Sequence, residues 1–260
     1  MKTKLFDQTG KEKGTVELPK NFSENVREDI LAKVFETQKL IYTQAYGIMK
    51  GAGAGYSASG ISRKKRHAWK GTYGKGISRI PRKIMSRHGS SFNWIGATVS
   101  NTRGGRNPHA PKSEKNPFKK TNKKELAIAF NSAFAGTVIS KYLEKKYGKK
   151  LESGFVFEAS ILTAKTKEFI AVMDKLFGDE ANFLKVKTVR AGAGKRRGRK
   201  YKSNAGLIFV IGSEEKMNRK GIEVVKVNEI MVSDLAPNGE PGRLACYTEN
   251  AIKEIGVRFK

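Results

Sequence analysis

The chain has 260 residues, with 52 Lys and Arg against 24 Asp and Glu, a net charge of +28 and one cysteine, Cys246. That length allows one large domain or two small ones, and a lone thiol excludes a disulfide framework and any cysteine-based zinc cluster. No stretch approaches the ~20 apolar residues of a membrane span, and the first residues lack the apolar run of a signal peptide, so a soluble, intracellular chain in a reducing compartment is expected.

Residues 2–6 and 14–18 read as two strands of a hairpin, with Asp7-Gln8-Thr9-Gly10 as the turn. Residues 25–46 read as a helix. Val26, Ile30, Leu31, Val34 and Phe35 recur at the spacing of one buried face, Asn25 with Glu28 resembles a capping box, and Gly47 is the expected stop. Residues 37–113 then contain no acid and fifteen Lys and Arg, punctuated by glycines and nearly free of apolar periodicity. Such a segment has little to bury against its ordering entropy and is expected to take shape against a polyanion. Residues 122–147 give the clearest helix, with Leu126, Phe130, Ala133, Phe134, Val138 and Tyr142 as its stripe, Asn122 and Glu125 as a second capping-box candidate, and Gly148 at the end.

Beyond Gly154 strands alternate with helices. Strands are expected over residues 155–157, 183–189, 206–211, 222–225 and 244–247. Helices are expected over 165–177, with Phe169, Ile170, Met173, Leu176 and Phe177 inward, and over 249–255, and a short helix or turn over 214–220. This pattern predicts an α/β body, a mainly parallel sheet flanked by helices in the Rossmann-like manner, carrying one very long basic extended loop. The body is assigned residues 1–46 and 117–260, and the loop residues 47–116. The apolar run 206–211 is the mark of a strand covered on both faces.

The charge is local. A second acid-free run, residues 181–213, holds nine more cations, and the two runs account for 24 of the 28 net charges. A nearly neutral body with two cationic tracts is the footprint of a nucleic-acid binder. The candidate RNA contacts in the loop are Arg63, Lys64, Lys65, Arg66, His67, Lys70, Lys75, Arg79, Arg82, Lys83, Arg87, His88, Arg103, Arg106, His109 and Lys112. Trp69, Tyr73 and Trp94, with Tyr56 and Phe92, are interleaved among them as stacking candidates for unpaired bases, the alternative being a small local core. In the second tract the candidates are Lys195, Arg196, Arg197, Arg199, Lys200, Tyr201 and Lys202.

Other chemistries find less support. Ala191-Gly192-Ala193-Gly194-Lys195 is not a nucleotide P-loop, because Val189 stands where the first glycine is needed and Arg196 follows the lysine. It reads instead as a phosphate clamp for RNA, the alternative being a solvated basic surface loop or a localisation signal. The three histidines have no acidic neighbours and no metal-ligand spacing. The carboxylates sit at caps and on solvated helix faces, and no nucleophile–base pair converges, so no catalytic residue, metal or cofactor is expected.

Several segments resemble the archaeal and eukaryotic branch of the L-four family of large-subunit ribosomal proteins. They are residues 22–34, Gly71-Thr72-Tyr73-Gly74-Lys75-Gly76-Ile77-Ser78-Arg79-Ile80-Pro81-Arg82, residues 106–115, Lys123-Lys124-Glu125-Leu126-Ala127, residues 198–202 and residues 235–244. The absence of a long C-terminal extension is similar to the archaeal members. The resemblance implies a cytoplasmic constituent of the large ribosomal subunit that binds 23S-type rRNA early in assembly. It implies neighbouring ribosomal proteins as partners, with no membrane and no homo-oligomer. It also implies a loop threading several rRNA domains, whose tip, with Gly71, Thr72, Tyr73, Gly74, Lys75, Gly76 and Arg79, lines the polypeptide exit tunnel beside the nascent peptide. The rival readings are a free RNA-binding regulator and an RNA-modifying enzyme on a nucleotide-binding fold.

Overall fold

The structure, a computed structural model, describes residues 1–58, 66–68, 71–89, 91–148, 154–178, 187–219 and 221–259. Two compact units emerge, Met1–Tyr42 with Phe118–Lys260, and Thr43–Pro117. In chain order the elements are β1 (Lys2–Phe6), β2 (Glu12–Glu17), α1 (Glu28–Ile41), β3 (Arg82–His88), β4 (Ser91–Gly96), α2 (Lys123–Val138), α3 (Ser140–Tyr147) and β5 (Phe155–Phe157). They continue with α4 (Thr166–Phe177), β6 (Lys187–Val189), β7 (Tyr201–Ser203), β8 (Ile208–Ile211), β9 (Glu223–Lys226), α5 (Val232–Leu235), β10 (Ala245–Thr248) and α6 (Glu249–Arg258).

The first unit is built on a six-stranded sheet in the order β2-β1-β5-β10-β8-β9. Only β1 and β2 pair antiparallel; every other pairing is parallel, as the alternation of strands and helices predicts. Strand pleating separates two cores. Val156, Ile208, Val210, Ala245 and Tyr247 face α1, α2 and α6, where they meet Leu31, Val34, Phe134 and Ile252. Phe155, Phe157, Phe209, Ile211 and Cys246 face the other way onto Leu143, Phe169 and Met173. The central strands β5, β8 and β10 are buried at every residue, and the apolar run expected to be covered on both faces is β8. The exposed edge strand β2 is charged, and Lys4 pairs with Glu12 at 2.5 Å across the hairpin.

The helices differ from expectation at their ends. α1 stops at Ile41 rather than Tyr46, because Ile41, Tyr42 and Tyr46 are 55, 73 and 73 % exposed and no buried face extends the helix beyond Leu31 and Val34. Its expected capping box does not form. Arg27 occupies the cap, its backbone N–H donates to Ser132 Oγ at 3.2 Å, and its guanidinium grips Asp29. The long helix over 122–147 is two helices bent by 73° at Ile139, whose ψ of 113° is extended. Glu125 forms no capping box either, because it pairs with Lys33 at 2.8 Å. Gly148 ends α3 in the left-handed conformation, as expected. Residues 214–219 form no helix; of the strand expected over 183–189 only Lys187–Val189 falls among the described residues.

Candidate nucleic-acid interface

The acid-free excursion is not featureless. In the second unit β3 and β4 pair antiparallel from Arg82 opposite Gly96 to His88 opposite Ser91, with a register shift between Ile84 and Ser86. Gly89, at φ +58°, supplies the left-handed turn. Trp94, Ala97 and Thr72 are 8, 2 and 1 % exposed, so a small core exists where little apolar burial was expected. The indole of Trp94 is therefore not offered as a stacking face in this arrangement; it is buried, with Lys75 Nζ 5.0 Å from its ring centroid.

Arg82 is occupied in the same way. Its guanidinium donates to Trp94 O at 2.8 Å, Ser78 O at 2.9 Å and Ser78 Oγ at 2.7 Å, so it pins the 78–81 turn to β4. The backbone N–H of Ala97 donates to Pro81 O at 2.8 Å and closes the other side of that turn. Arg79 lies 4.5 Å from the Tyr73 ring and Lys83 Nζ 4.0 Å from the Tyr56 ring. Aromatic rings thus hold Arg79 and Lys83 at defined places, and among the described residues no carboxylate pairs with either.

Gly71 and Thr72 are buried, Tyr73 is half-buried, and residues 74–79 form the exposed crown of the turn. Gly74 and Gly76 stand at φ +76° and +69°, which an L side chain adopts only with strain. Arg66, His67, Lys75, Arg79, His88, Arg103, Arg106, His109 and Lys112 are exposed, whereas Lys83 is half-buried. Of Arg87 only the strand pairing is described. Arg63, Lys64, Lys65, Trp69 and Lys70 lie outside the described residues.

The two arms of the excursion meet through bare backbone. Ile48 N–H donates to Pro111 O at 3.4 Å, and a Cβ on Gly47 would stand 2.6 Å from Ser113 N. A Cβ on Gly53 would stand 2.4 Å from the Gly105 carbonyl carbon, and one on Gly105 would stand 1.9 Å from Val99 O. Glycine at these positions is required by contact, and at Gly53, with φ +77°, by conformation as well.

The second tract forms a hairpin of its own. β6 and β7 pair antiparallel, Lys187 with Ser203 and Val189 with Tyr201, and Arg190 N–H extends the ladder to Lys200 O at 2.8 Å. Every residue of both strands is exposed, Val189 and Tyr201 at 54 % each. Lys195, Arg196, Arg197, Arg199, Lys200 and Lys202 are exposed as well. A two-stranded ribbon with no buried face is marginal in water, so this hairpin is built to lie against something else.

The crevice where parallel sheets take nucleotides is closed from within. At the carboxyl end of β8 the Gly212 N–H donates to Glu215 Oε2 at 2.7 Å, and the Ser213 N–H donates to both oxygens of Glu254 at 3.0 Å. Two carboxylates occupy the place a phosphate would need. Cys246 is buried, and burial pushes its thiol well above the usual range, so it is no nucleophile. Among the described residues no three His, Cys, Asp or Glu gather as a metal site, and no single helix is long and apolar enough to cross a membrane.

Sequence reasoning missed both hairpins. The signal for the first was present in Ile84, Phe92, Trp94 and Ile95 flanking Gly89, but Arg82, Lys83 and Arg87 broke the apolar alternation of the first strand and masked it. It also missed Arg243, which has no local signature and proves to be the largest fully buried side chain.

The ribosomal protein L4/L1 family profile matches residues 16–258. The large ribosomal subunit protein uL4 of Nanoarchaeum equitans is 33 % identical over 268 residues, covering 99 % of this chain and 98 % of that protein. The protein of the same name from Methanococcoides burtonii is 34 % identical, covering 98 % of each, and that from Halobacterium salinarum is 31 % identical, covering 99 % and 100 %. The match spans body and excursion alike, and on it the chain belongs to the ribosomal protein L4/L1 family.

Proposed function

We propose that this chain is a structural, non-enzymatic constituent of the large ribosomal subunit in the cytoplasm, holding 23S-type rRNA with its two cationic segments from early in assembly. One observation carries the reading: exposed cations are concentrated on two ribbons with few acids, while the body that bears them is nearly neutral. The relatives, each named a large ribosomal subunit protein, point the same way. Lys and Arg on the ribbons displace counterions from rRNA phosphates; about ten such contacts make affinity fall roughly 10³–10⁵-fold between low and moderate salt. Glycines let the backbone pass close between RNA helices.

In the finer reading the 71–82 turn lines the exit tunnel and meets the nascent peptide. Gly74, Lys75, Gly76 and Arg79 form the wall, with Tyr73 behind Arg79. Gly71 and Thr72, buried at the base of the turn, back that wall.

Sedimentation of the tagged chain through sucrose gradients at rising salt tests the assignment. Co-migration with the large subunit at low salt, released as salt rises, is expected; a protein that stays at the top bound to a short RNA is a free regulator. For the finer reading, deletion of residues 71–82 should leave the thermal transition of the α/β unit unchanged and alter nascent-chain passage, read as stalling of an arrest peptide. Unaltered stalling would remove the turn from the tunnel.

A further inference from the structure

Beside the glycine contacts of the second unit lies a cavity of about 390 Å³. One wall comes from residues 48–52 and the other from residues 106–114. Ile48, Met49, Pro108 and Pro111 supply apolar surface, Lys50, Arg106 and Lys112 supply three cations, and Glu114 supplies one acid. Ile48 and Met49 are 47 and 77 % exposed, so their apolar surface is open to a ligand in the free chain. Thr43–Pro117 contains fifteen Lys and Arg and a single acid, Glu114.

We infer that this cavity receives one extruded nucleotide of the rRNA, its base against the apolar walls and its flanking phosphates on Lys50, Arg106 and Lys112. The inference rests on the rRNA-binding reading and gives that binding a discrete subsite. Three features select the occupant. The volume lies at the small end of the range for ligand pockets, the size of a single base with its sugar. Apolar side chains and three cations against one acid in a single lining match a flat base flanked by anionic phosphates. Unpaired bases, splayed from the stack, are what proteins recognise in folded RNA, because A-form helices hide base edges in a deep groove. The main-chain contact between Ile48 and Pro111 and the glycine contact between Gly47 and Ser113 set the two walls at a fixed spacing, so the subsite is formed before RNA arrives.

Two charge-neutral variants of the full chain separate the subsite from bulk phosphate binding. Ala110→Leu fills the cavity, and Met49→Ala removes a wall from an exposed position where truncation cannot unfold the chain. The probe is a full-length large-subunit rRNA transcript, with filter binding across a salt series and chemical probing of base edges. The expected result is one unpaired nucleotide protected by the wild type and exposed again in both variants. Affinity should fall about tenfold, with the slope of log K against log salt unchanged because no phosphate contact is lost. Lys50→Gln with Lys112→Gln should instead reduce that slope. Variants that keep wild-type affinity and every base protection overturn the subsite while leaving rRNA binding standing. A wild type that shows no salt-dependent binding to the transcript overturns the rRNA reading itself, and the subsite with it.

Discussion

Arg243 is 2 % exposed and spends its whole guanidinium inside the fold. It donates to Gly206 O at 2.9 Å, Asp234 O at 2.5 Å, Ala205 O at 2.6 Å and Glu223 Oε2 at 2.7 Å. It thereby ties the start of β8, the end of α5 and the start of β9 to the segment leading into β10. Arg243→Met would leave Glu223 and three carbonyls without their donor, a loss of about 3–5 kcal/mol in urea denaturation. Arg243→Lys should recover only part of it, since an ammonium cannot reach acceptors spread around a planar fork. Nearby, Lys146 Nζ is buried, with no hydrogen-bond partner among the described residues. Burial, helped by Arg243 and opposed by Glu240, pulls the Lys146 ammonium from its ordinary 10.5 to about 8. The unfolded chain keeps this proton up to about pH 10.5, whereas the folded chain releases it from about pH 8, so the Lys146 contribution makes stability rise with pH through that window. Urea midpoints at pH 7.5, 8.5 and 9.5 should climb more in the wild type than in Lys146→Met, and the variant should be the more stable of the two at pH 7.5. Equal slopes would show that the amine is solvated.

At the level of the elements, the excursion depends on glycine where backbones touch. Gly105→Ala would place a methyl group 1.9 Å from Val99 O, and no rotamer change relieves a clash with backbone. Hydrogen exchange should quicken over residues 97–106 in that variant, while β8 and β10 exchange as before. Uniform quickening would mean that the glycine matters for the whole fold and not for the turn. The β6–β7 hairpin behaves differently, because it has no buried side to lose. Replacing Lys195, Arg196, Arg197, Arg199, Lys200 and Lys202 by Gln should leave thermal stability unchanged. It should lower the slope of log K against log salt by about 4–5 if each cation meets one phosphate.

Across the whole molecule, function is separated from folding. The first unit holds the two large apolar cores, whereas most of the charge excess lies on the second unit and on the exposed hairpin. A nearly neutral body avoids the self-repulsion that a uniformly basic protein of this charge would suffer. The expected consequence is that moderate salt weakens rRNA binding by orders of magnitude yet barely shifts the thermal midpoint of the free chain. Parallel melting curves and binding isotherms over one salt series check this, and a midpoint that tracks affinity would contradict it.

The sequence by itself determined the α/β class, the doubly covered strand within 206–211, the C-terminal stop of α3 at Gly148 and the family. Those depend on local periodicity, on glycine and on motif strings that a single chain displays openly. Only the tertiary structure decided that the 122–147 helix bends at Ile139, that Glu125 turns to Lys33 instead of its own cap, and that Arg243 lies buried. It alone decided that Arg82 and Trp94, read as RNA contacts, are spent inside the β3–β4 hairpin, and that glycines far apart in sequence bring the arms of the excursion together. Each of these turns on a partner distant along the chain, and no spacing rule reports which carbonyl or carboxylate a side chain will find across the fold.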